Sequence, residues 1–381
     1  MKVAIIGGGA SGVVAALRLK INNPNIDVTI FEKNNKLLKK VATTGNGRCN
    51  LSNQNISSDM YLNSSIIDEM LSLGYKDSML DFFHDLGLFT IVEEGRIYPK
   101  SNQASTVVEL LTKELFYKKV NVVLNTEINE IKKENAKFII NGNIYDYTLV
   151  CVGSNASVCK EDIPLLKNLD LEYIPFKPAL VGFKVKEDIS NLFGVRAAAT
   201  VTLNGHKSKG EVMFKEDGVS GICVMDLSVF SNKGTIFFDF LDEYNMDILK
   251  MIINRKLKND PYVHLHNLLF GSVNNKLLGM FNKGYPNSRV LSLEEGVLDN
   301  YLKQFKEFKL TITDTYPITN AHVALGGISL DELNLFESKK YPNLYVLGEA
   351  TNQVGLCGGY NLWYAFTSGI MVADKICKWQ Y

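Results

Sequence analysis

The first forty residues contain a glycine pattern that can bind phosphate groups. Gly7, Gly9 and Gly12 are spaced as GxGxxG, and Glu32 lies 20 residues after Gly12. In this pattern the first glycine permits a tight turn, the second lets the backbone approach a pyrophosphate, and the third lets the following helix pack closely. The N-terminus of that helix offers N–H donors and a partial positive charge to the phosphates. Glu32 can accept hydrogen bonds from ribose hydroxyls and would repel a 2′-phosphate, so we predict a dinucleotide site that excludes NADP.

A second glycine-rich loop lies near the other end of the sequence and could complete a flavin site. Gly355–Asn361 follows Glu349 and precedes a helical pattern from Leu362 to Ile376. A flavin needs an acceptor for its ribityl hydroxyls, which Glu349 can provide, and positive potential near its pyrimidine edge, which a helix N-terminus can supply. The GxGxxG pattern alone fits both FAD and NAD. The second loop supplies the additional groups that a flavin needs, so it favours FAD. An ordinary crossover helix after a glycine turn is the alternative interpretation.

Four residues have side chains that could take part in catalysis, although none can be assigned a role. His322 and Tyr360 are candidate acid–base groups, and a structural role is expected for His322 because it lies in a strand pattern. Cys49 and Cys357 flank the cofactor-type motifs, where they could form a redox-active pair or serve as small buried side chains. Arg48 could pair with the pyrophosphate or form a salt bridge on a surface loop.

Strand and helix patterns place these motifs in an α/β domain that is interrupted by an insert. Strands at 3–6 and 27–31 flank the first helix, and a buried strand at 147–152 ends at Gly153 and Ser154. Further patterns predict helices at 77–86 and 103–118, a hairpin at 91–99, and strands at 120–124, 128–132 and 138–140. Short strands dominate from about 175 to 240, helices from 241 to 308, and strands return at 310–312 and 321–328.

These patterns predict a fold class and a division into three parts. The fold class is α/β, with a Rossmann-type FAD-binding domain of the two-dinucleotide-binding-domain flavoprotein type, an inserted antiparallel β domain and a small helical domain. We assign 1–168 and 329–381 to the FAD-binding domain, 169–240 and 309–328 to a β-barrel-like insert, and 241–308 to a helical insert.

Composition narrows the classes of partner. The chain has 381 residues with 41 basic and 41 acidic side chains, which gives no support to binding of nucleic acid or of an anionic membrane. Six scattered cysteines without metal-site spacing predict reduced thiols and no metal site. We find neither a signal-peptide pattern nor an apolar segment of roughly 20 residues, so we expect a cytoplasmic protein without a membrane partner. The oligomeric state is not predicted.

Several motifs together resemble the HI0933-like flavoprotein family, which includes aminoacetone oxidase-type and BaiN-type enzymes. They are Gly7–Gly12, Gly45–Asn53, Gly95–Pro99 with Ser101 and Ala104, Lys177–Val181, Gly326–Gly327, and Gly348–Glu349 through Gly358–Asn361 to Ser368–Gly369. The resemblance runs along the whole chain and implies FAD, a three-part architecture and redox chemistry. Two departures lie in the segments implied to border the substrate: a short, glycine-free stretch from Ser154 to Asp170, and Ala324–Leu325 where the family tends to carry a threonine.

The motifs and the resemblance together give an expected set of cofactor contacts. The resemblance implies that Arg48, Cys49, Asn50 and the loop at 358–362 line the flavin. The full expected set is Gly7, Gly9, Ala10, Ser11, Gly12, Glu32, Lys33, Thr44, Gly45, Gly47, Arg48, Cys49, Asn50, Ile128, Gly153, Gly348, Glu349, Gly358, Gly359, Tyr360, Asn361 and Leu362.

The expected chemistry is hydride transfer between a small organic substrate and N5 of FAD. Either oxygen or a nicotinamide completes the cycle, so NAD(P)H is a candidate electron donor. An amine oxidase and an NAD(P)H-dependent reductase of activated C=C bonds both fit. Outside catalysis, a flavin-binding sensor is the alternative. An RNA-modifying flavoprotein would need a basic face with aromatic side chains, which the neutral composition does not suggest.

Overall fold

The computed structural model describes residues 1–134, 137–153 and 162–378. The chain forms two compact units: Met1–Lys177 with Val323–Tyr381 is unit 1, and Pro178–His322 is unit 2. Ser154 and the first part of the glycine-free stretch lie outside the described residues. Among the described residues, no helix is long and apolar enough to span a membrane. The cytoplasmic location stays a prediction.

The elements follow one another in a mixed order of strands and helices. The strands are β1 Lys2–Ile6, β2 Asp27–Phe31, β3 Ser52–Asn53, β4 Thr90–Glu93, β5 Arg96–Pro99, β6 Asn121–Val123, β7 Lys132–Glu134, β8 Lys137–Ile140, β9 Asn143–Tyr145, β10 Tyr147–Val150, β11 Tyr173–Ala179, β12 Phe183–Val185, β13 Arg196–Leu203, β14 His206–Phe214, β15 Gly218–Ser220, β16 Gly234–Asp239, β17 Phe308–Thr315, β18 Val323–Ile328, β19 Leu333–Asn334, β20 Glu337–Ser338 and β21 Leu344–Val346. The helices are α1 Ala10–Asn22, α2 Ser64–Ser72, α3 Ser78–Asp85, α4 Ala104–Tyr117, α5 Pro164–Lys167, α6 Ile222–Leu227, α7 Met246–Asn259, α8 Asn275–Asn282, α9 Val297–Lys306 and α10 Tyr360–Lys378.

Unit 1 is built on a seven-stranded sheet in the order β19-β20-β21-β10-β1-β2-β6. Strands β21, β10, β1, β2 and β6 run parallel, and β19 and β20 add an antiparallel edge. The central strand β1 is buried from Val3 to Ile6, as expected for a parallel strand that is covered on both faces. The carboxyl ends of the parallel strands therefore meet at one edge, where α/β folds bind ligands.

Helices α1 and α10 pack against each other in unit 1, although they are far apart in sequence. A Cβ atom at Gly369 would lie 2.5 Å from the backbone oxygen of Ser11, so only glycine permits this approach. Arg18 Nε lies 2.6 Å from Asp374 Oδ1 and joins the other ends of the two helices. The pair thus sets where the N-terminus of α1 stands relative to the sheet.

Unit 2 contains a closed antiparallel barrel in the order β12-β15-β14-β13-β16-β17. Its strand β13 alternates, with Ala199, Val201 and Leu203 turned inward. The predicted turn at Asn204–Gly205 joins β13 to β14, and both residues have positive φ, as a tight hairpin turn requires.

The described boundaries differ in part from the predicted ones. Helices α7, α8 and α9 share one hydrophobic core with the barrel, so the helical part does not separate from the β insert as a compact unit. The division into three domains stays a prediction. The strand predicted at 128–132 is wrong. Strand β7 begins only at Lys132, which pairs with Ile139 of β8. Helix α2 was not predicted. The strand predicted at 321–328 begins at Val323, so His322 precedes β18 instead of lying in a strand.

Candidate cofactor site

The loop between β1 and α1 is shaped by two glycines and left open at a third. A Cβ atom at Gly7 would lie 2.5 Å from Cys151 O, and one at Gly12 would lie 2.1 Å from Gly7 O. The fold itself therefore requires both glycines. By contrast, a Cβ atom at Gly9 would meet no protein atom within 4 Å. Space beside Gly9 is thus available to a bound group.

The N-terminus of α1 presents backbone donors at this open position. Gly9 is the N-cap and provides no side-chain cap, and the first turn carries no acidic residue. The first hydrogen bond of the helix runs from Val13 N–H to Gly9 O at 3.0 Å. The N–H groups of the first turn, which include Ala10 and Ser11, have no partner within the helix, and they add to the partial positive charge of the helix end.

Glu32 follows β2 at the same sheet edge and is buried. Its carboxylate accepts hydrogen bonds from Gly8 N–H at 2.8 Å, Asn34 N–H at 2.8 Å and Asn34 Nδ2 at 2.5 Å. Glu32 therefore fixes the glycine loop in addition to the predicted role towards a ribose. The neighbouring Lys33 is exposed.

A second carboxylate lies where β21 and β10 end. Glu349 forms an ion pair with Lys40, and a Cβ atom at Gly153 would lie 2.7 Å from Glu349 Oε2. Gly348 lies close to Ser11, since its Cβ would be 2.8 Å from the Ser11 hydroxyl. The structure therefore brings four predicted residues from distant segments together. Lys40 was not predicted, because nothing distinguishes it from its neighbours in a lysine-rich run.

The start of α10 contacts the segment that contains Asn50. Gly358 and Gly359 have positive φ, and a Cβ atom at Gly359 would lie 2.4 Å from Ser52 O and 2.8 Å from Asn50 Oδ1. Asn361 closes the loop, because its Oδ1 accepts from Gly355 N–H at 2.9 Å. In the part of the chain that the structure describes, the buried Asn50 Oδ1 has no hydrogen-bond partner.

These features fit FAD. A buried acceptor without a partner costs about 1–3 kcal/mol, so the free Asn50 Oδ1 indicates that a donor from outside the protein belongs there. The residues that could hold the cofactor are Gly9, Ala10, Ser11 and Gly12 for the pyrophosphate, Glu32 and Glu349 for the sugar hydroxyls, and Asn50 with Gly358–Leu362 for the ring. The site thus spans from α1 to α10 within unit 1.

Arg48 is held by protein groups. Its guanidinium forms an ion pair with Glu93, donates to Asn102 Oδ1 at 2.6 Å, and lies 4.1 Å from the centre of the Tyr98 ring. Of the two roles considered for Arg48, the salt bridge is the one this structure shows. Ile128 is buried in a segment without regular structure, and nothing in its surroundings marks it as a cofactor contact.

The segment from Thr44 to Cys49 is a compact turn with several left-handed residues. Gly45, Gly47 and Cys49 all have positive φ, and Cys49 N–H donates to Thr44 O at 3.0 Å. The Cys49 side chain is buried, and burial raises the pKa of its thiol to about 11. Cys49 is a free thiol. A protonated thiol is a poor nucleophile, so this favours the structural role for Cys49.

We expect Cys49 to resist alkylation in the native protein. Because its thiol stays protonated below a pKa of about 11 and is buried, iodoacetamide at pH 8 should leave it unmodified, whereas urea-denatured protein should react. Peptide mass spectrometry measures both. The double variant Cys49→Ser and Cys357→Ser should keep its turnover rate, and a large loss of turnover would restore the redox-pair hypothesis.

The candidate catalytic residues are divided between the two units of the chain. His322 belongs to unit 2, where its N–H donates to Leu180 O at 3.2 Å. Tyr360 belongs to unit 1 and is buried, with its ring 5.8 Å from that of Tyr61. Tyr61 donates its hydroxyl to Tyr360 O at 3.0 Å, and burial raises the pKa of Tyr61 well above its usual value. Tyr61 was missed because a lone tyrosine in a loop carries no sequence signal.

Comparison with known proteins agrees with this geometry. The model of the HI0933-like protein Rossmann domain matches residues 1–375. A 3-dehydro-bile acid delta(4,6)-reductase of Clostridium scindens is 32% identical, and the alignment covers 97% of each chain. A ribosomal RNA dihydrouridine synthase of Haemophilus influenzae is 23% identical, with 98% of each chain covered.

A solved structure extends the likeness to the fold. The 3-ketosteroid delta1-dehydrogenase of Sterolibacterium denitrificans, in complex with 1,4-androstadiene-3,17-dione, superposes with a TM-score of 0.50 at 12% identity and covers 99% of both chains. The predicted fold class and family are confirmed, and the relatives are enzymes, not sensors. The chain belongs to the HI0933-like family of FAD-dependent oxidoreductases.

Proposed function

We propose that this enzyme saturates a carbon–carbon double bond conjugated to a carbonyl group, with NAD(P)H as the electron donor. Bound FAD supplies hydride transfer at N5. One hydride and one proton add across the double bond, and one NAD(P)H is oxidised to NAD(P)⁺. The substrate we propose first is a small, rigid enone.

The supporting observation is the relative at 32% identity over nearly the full length, whose name describes reduction of a 3-oxo compound at its double bonds. The protein groups around the site suit a flavin that is reduced during the catalytic cycle, which a reductase and an oxidase have in common. The N-terminus of α10 would provide positive potential to stabilise negative charge on a bound, reduced flavin. Burial raises the pKa of both Tyr61 and Cys49, so neither would add a negative charge to the flavin site at neutral pH.

The proposal is tested by reducing the FAD of the holoenzyme anaerobically and then following its reoxidation. We expect NADH or NADPH to bleach the flavin bands, and a 3-oxo-4,6-diene bile acid to restore them faster than air does. The product should have gained two hydrogens per double bond by mass spectrometry. Fast reoxidation by air, together with oxidation of aminoacetone, would show an amine oxidase and overturn the proposal.

A second candidate substrate is a uracil base in RNA. Two relatives that match 98% of this chain, from Haemophilus influenzae and Escherichia coli, are named ribosomal RNA dihydrouridine synthases. Dihydrouridine differs from uridine by two hydrogens across a C=C bond conjugated to a carbonyl, so the chemistry is the same. Incubation of the NAD(P)H-reduced enzyme with unmodified ribosomal RNA, followed by nucleoside mass spectrometry, would detect dihydrouridine; its absence removes this candidate.

A further inference from the structure

The motif Gly95–Pro99 contains a cation that neither packing nor the cofactor contacts explain. Its last four residues form β5, the central strand of a three-stranded sheet in the order β3-β5-β4 within unit 1. Ile97, Tyr98 and Pro99 are buried, so packing accounts for the apolar part of the motif. Arg96 is only partly buried, and its guanidinium needs another explanation.

The strand pairing places Arg96 on the same face of this sheet as Asn53 and Glu93. Asn53 of β3 and Glu93 of β4 both lie directly opposite Arg96, and side chains that lie directly opposite share a face. Tyr98, two residues along β5, points to that face as well. Arg48 covers it, because its guanidinium lies 4.1 Å from the centre of the Tyr98 ring.

The carboxylate opposite Arg96 is engaged by the other arginine. Glu93 forms its ion pair with Arg48, whose Nε also donates to Asn102 Oδ1. In the part of the chain that the structure describes, the Arg96 guanidinium has neither a carboxylate within ion-pair distance nor a hydrogen-bond acceptor. A partly buried cation loses hydration, and native proteins leave such a loss uncompensated mainly at functional sites. The fold therefore keeps this cation available.

The face that carries Arg96 adjoins the segments assigned to the flavin ring. Asn53, directly opposite Arg96, donates from its Nδ2 to Gly358 O at 3.0 Å. A Cβ atom at Gly45 would lie 3.7 Å from Cε1 of Tyr98, so the turn that contains Gly45 packs against the same face. Arg96 therefore lies beside the candidate cofactor site, one strand away from the loop that precedes α10.

The guanidinium group is suited to an anion with two or more oxygen atoms. It is always charged, and its planar N–H donors match the oxygens of a carboxylate or a phosphate. Gly9–Gly12 and the N-terminus of α10 already provide for the phosphates and the ring of FAD. An anion at Arg96 would therefore belong to a second molecule.

We propose that Arg96 binds an anionic oxygen group, a carboxylate or a phosphate, on a molecule that exchanges hydride with the flavin. In this it rests on the proposed function, which supplies two such molecules, the enone and the nicotinamide nucleotide. Arg96 is then a specificity-determining residue, because it favours a charged ligand over a neutral one of similar shape. Arg48 does not compete for the anion, since Glu93 neutralises it.

The test measures ligand binding to the oxidised holoenzyme, without turnover, from changes in the visible spectrum of FAD. One pair of probes is 3-oxocyclohex-1-ene-1-carboxylate and its methyl ester, and the other is nicotinamide mononucleotide and nicotinamide riboside. In one of these pairs we expect the parent to bind the charged probe at least about tenfold more tightly than the neutral one. Arg96→Gln should abolish that preference and leave the Kd of the neutral probe unchanged. The pair that responds identifies which molecule carries the anion.

The matched control is Lys100→Gln. Lys100 is an exposed cation directly after the same strand, so its loss changes the net charge equally and should keep the preference. Arg96→Lys retains the charge without the planar fork and should keep only part of the preference. Arg96→Gln should unfold at the same urea concentration as the parent, because the substitution breaks no ion pair within the described residues.

Three outcomes would overturn the proposal. They are equal binding of charged and neutral probes by the parent in both pairs, an equal loss of preference in Lys100→Gln, and a fall in FAD affinity or flavin midpoint potential in Arg96→Gln, which would place the guanidinium on the cofactor. Enone reduction by the parent is measured separately. A protein that reduces no enone but prefers a charged probe would lose the proposed function and keep the anion site, and the reverse result would do the opposite.

Discussion

Replacing Gly9 with valine is expected to weaken FAD binding about 100-fold, or about 2.8 kcal/mol, without changing the stability of the apoprotein. Gly9 has extended backbone angles that valine adopts readily, and its Cβ position is empty of protein atoms. The added side chain therefore fills only the space beside the α1 amides. Titration of apoprotein with FAD measures the affinity, and urea unfolding measures the stability.

Two further substitutions separate a loss of FAD affinity from a loss of protein stability. Gly284→Val also enters open space but lies in unit 2, so it should keep FAD affinity. Gly12→Ala should instead lower the free energy of unfolding, because its Cβ would lie 2.1 Å from Gly7 O. If Gly9→Val bound FAD as tightly as the parent, the glycine loop would not be the pyrophosphate site.

Replacing Glu32 with glutamine is expected to destabilise the apoprotein by about 2–3 kcal/mol, although the two side chains have the same shape. The carboxylate accepts from Gly8 N–H with one oxygen and from both Asn34 donors with the other. Glutamine has a single acceptor oxygen, so its NH₂ group must face one set of these donors. Urea unfolding of the apoprotein isolates this effect from any loss of cofactor.

The matched control is Glu130→Gln. Glu130 is exposed and its nearest ammonium, that of Lys132, lies 4.0 Å away, so the free energy of unfolding should change by less than about 0.5 kcal/mol. An equally stable Glu32→Gln protein would mean that the carboxylate does not fix the glycine loop, and that its role is towards the ribose alone.

Local sequence patterns were sufficient to predict the β1–α1–β2 segment. Val3–Ile6 is a continuous apolar run, and such runs form buried parallel strands; the glycines after it fit only a tight strand-to-helix turn. The Asn204–Gly205 hairpin was predictable for a similar reason, since few residues tolerate positive φ at both turn positions.

Contacts between segments that are distant in sequence could not be predicted from local patterns. The ion pair of Lys40 and Glu349 joins residues 309 positions apart, and neither is distinctive in its own segment. The missing partner of Asn50 Oδ1 becomes visible only when Gly359 is placed beside it. The helices 246–306 show an ordinary amphipathic pattern, which does not tell whether their apolar faces meet one another or the barrel.

The close packing of α1 and α10 has a consequence for the order of assembly during synthesis. At about 5–20 residues per second, roughly 20–70 s pass between translation of the first helix and of the last. Unit 2 is one continuous segment, so it can fold while α1 still lacks its partner. We therefore expect the inserted unit to mature first on the ribosome, and the nascent chain to gain the ability to capture FAD only when α10 has emerged.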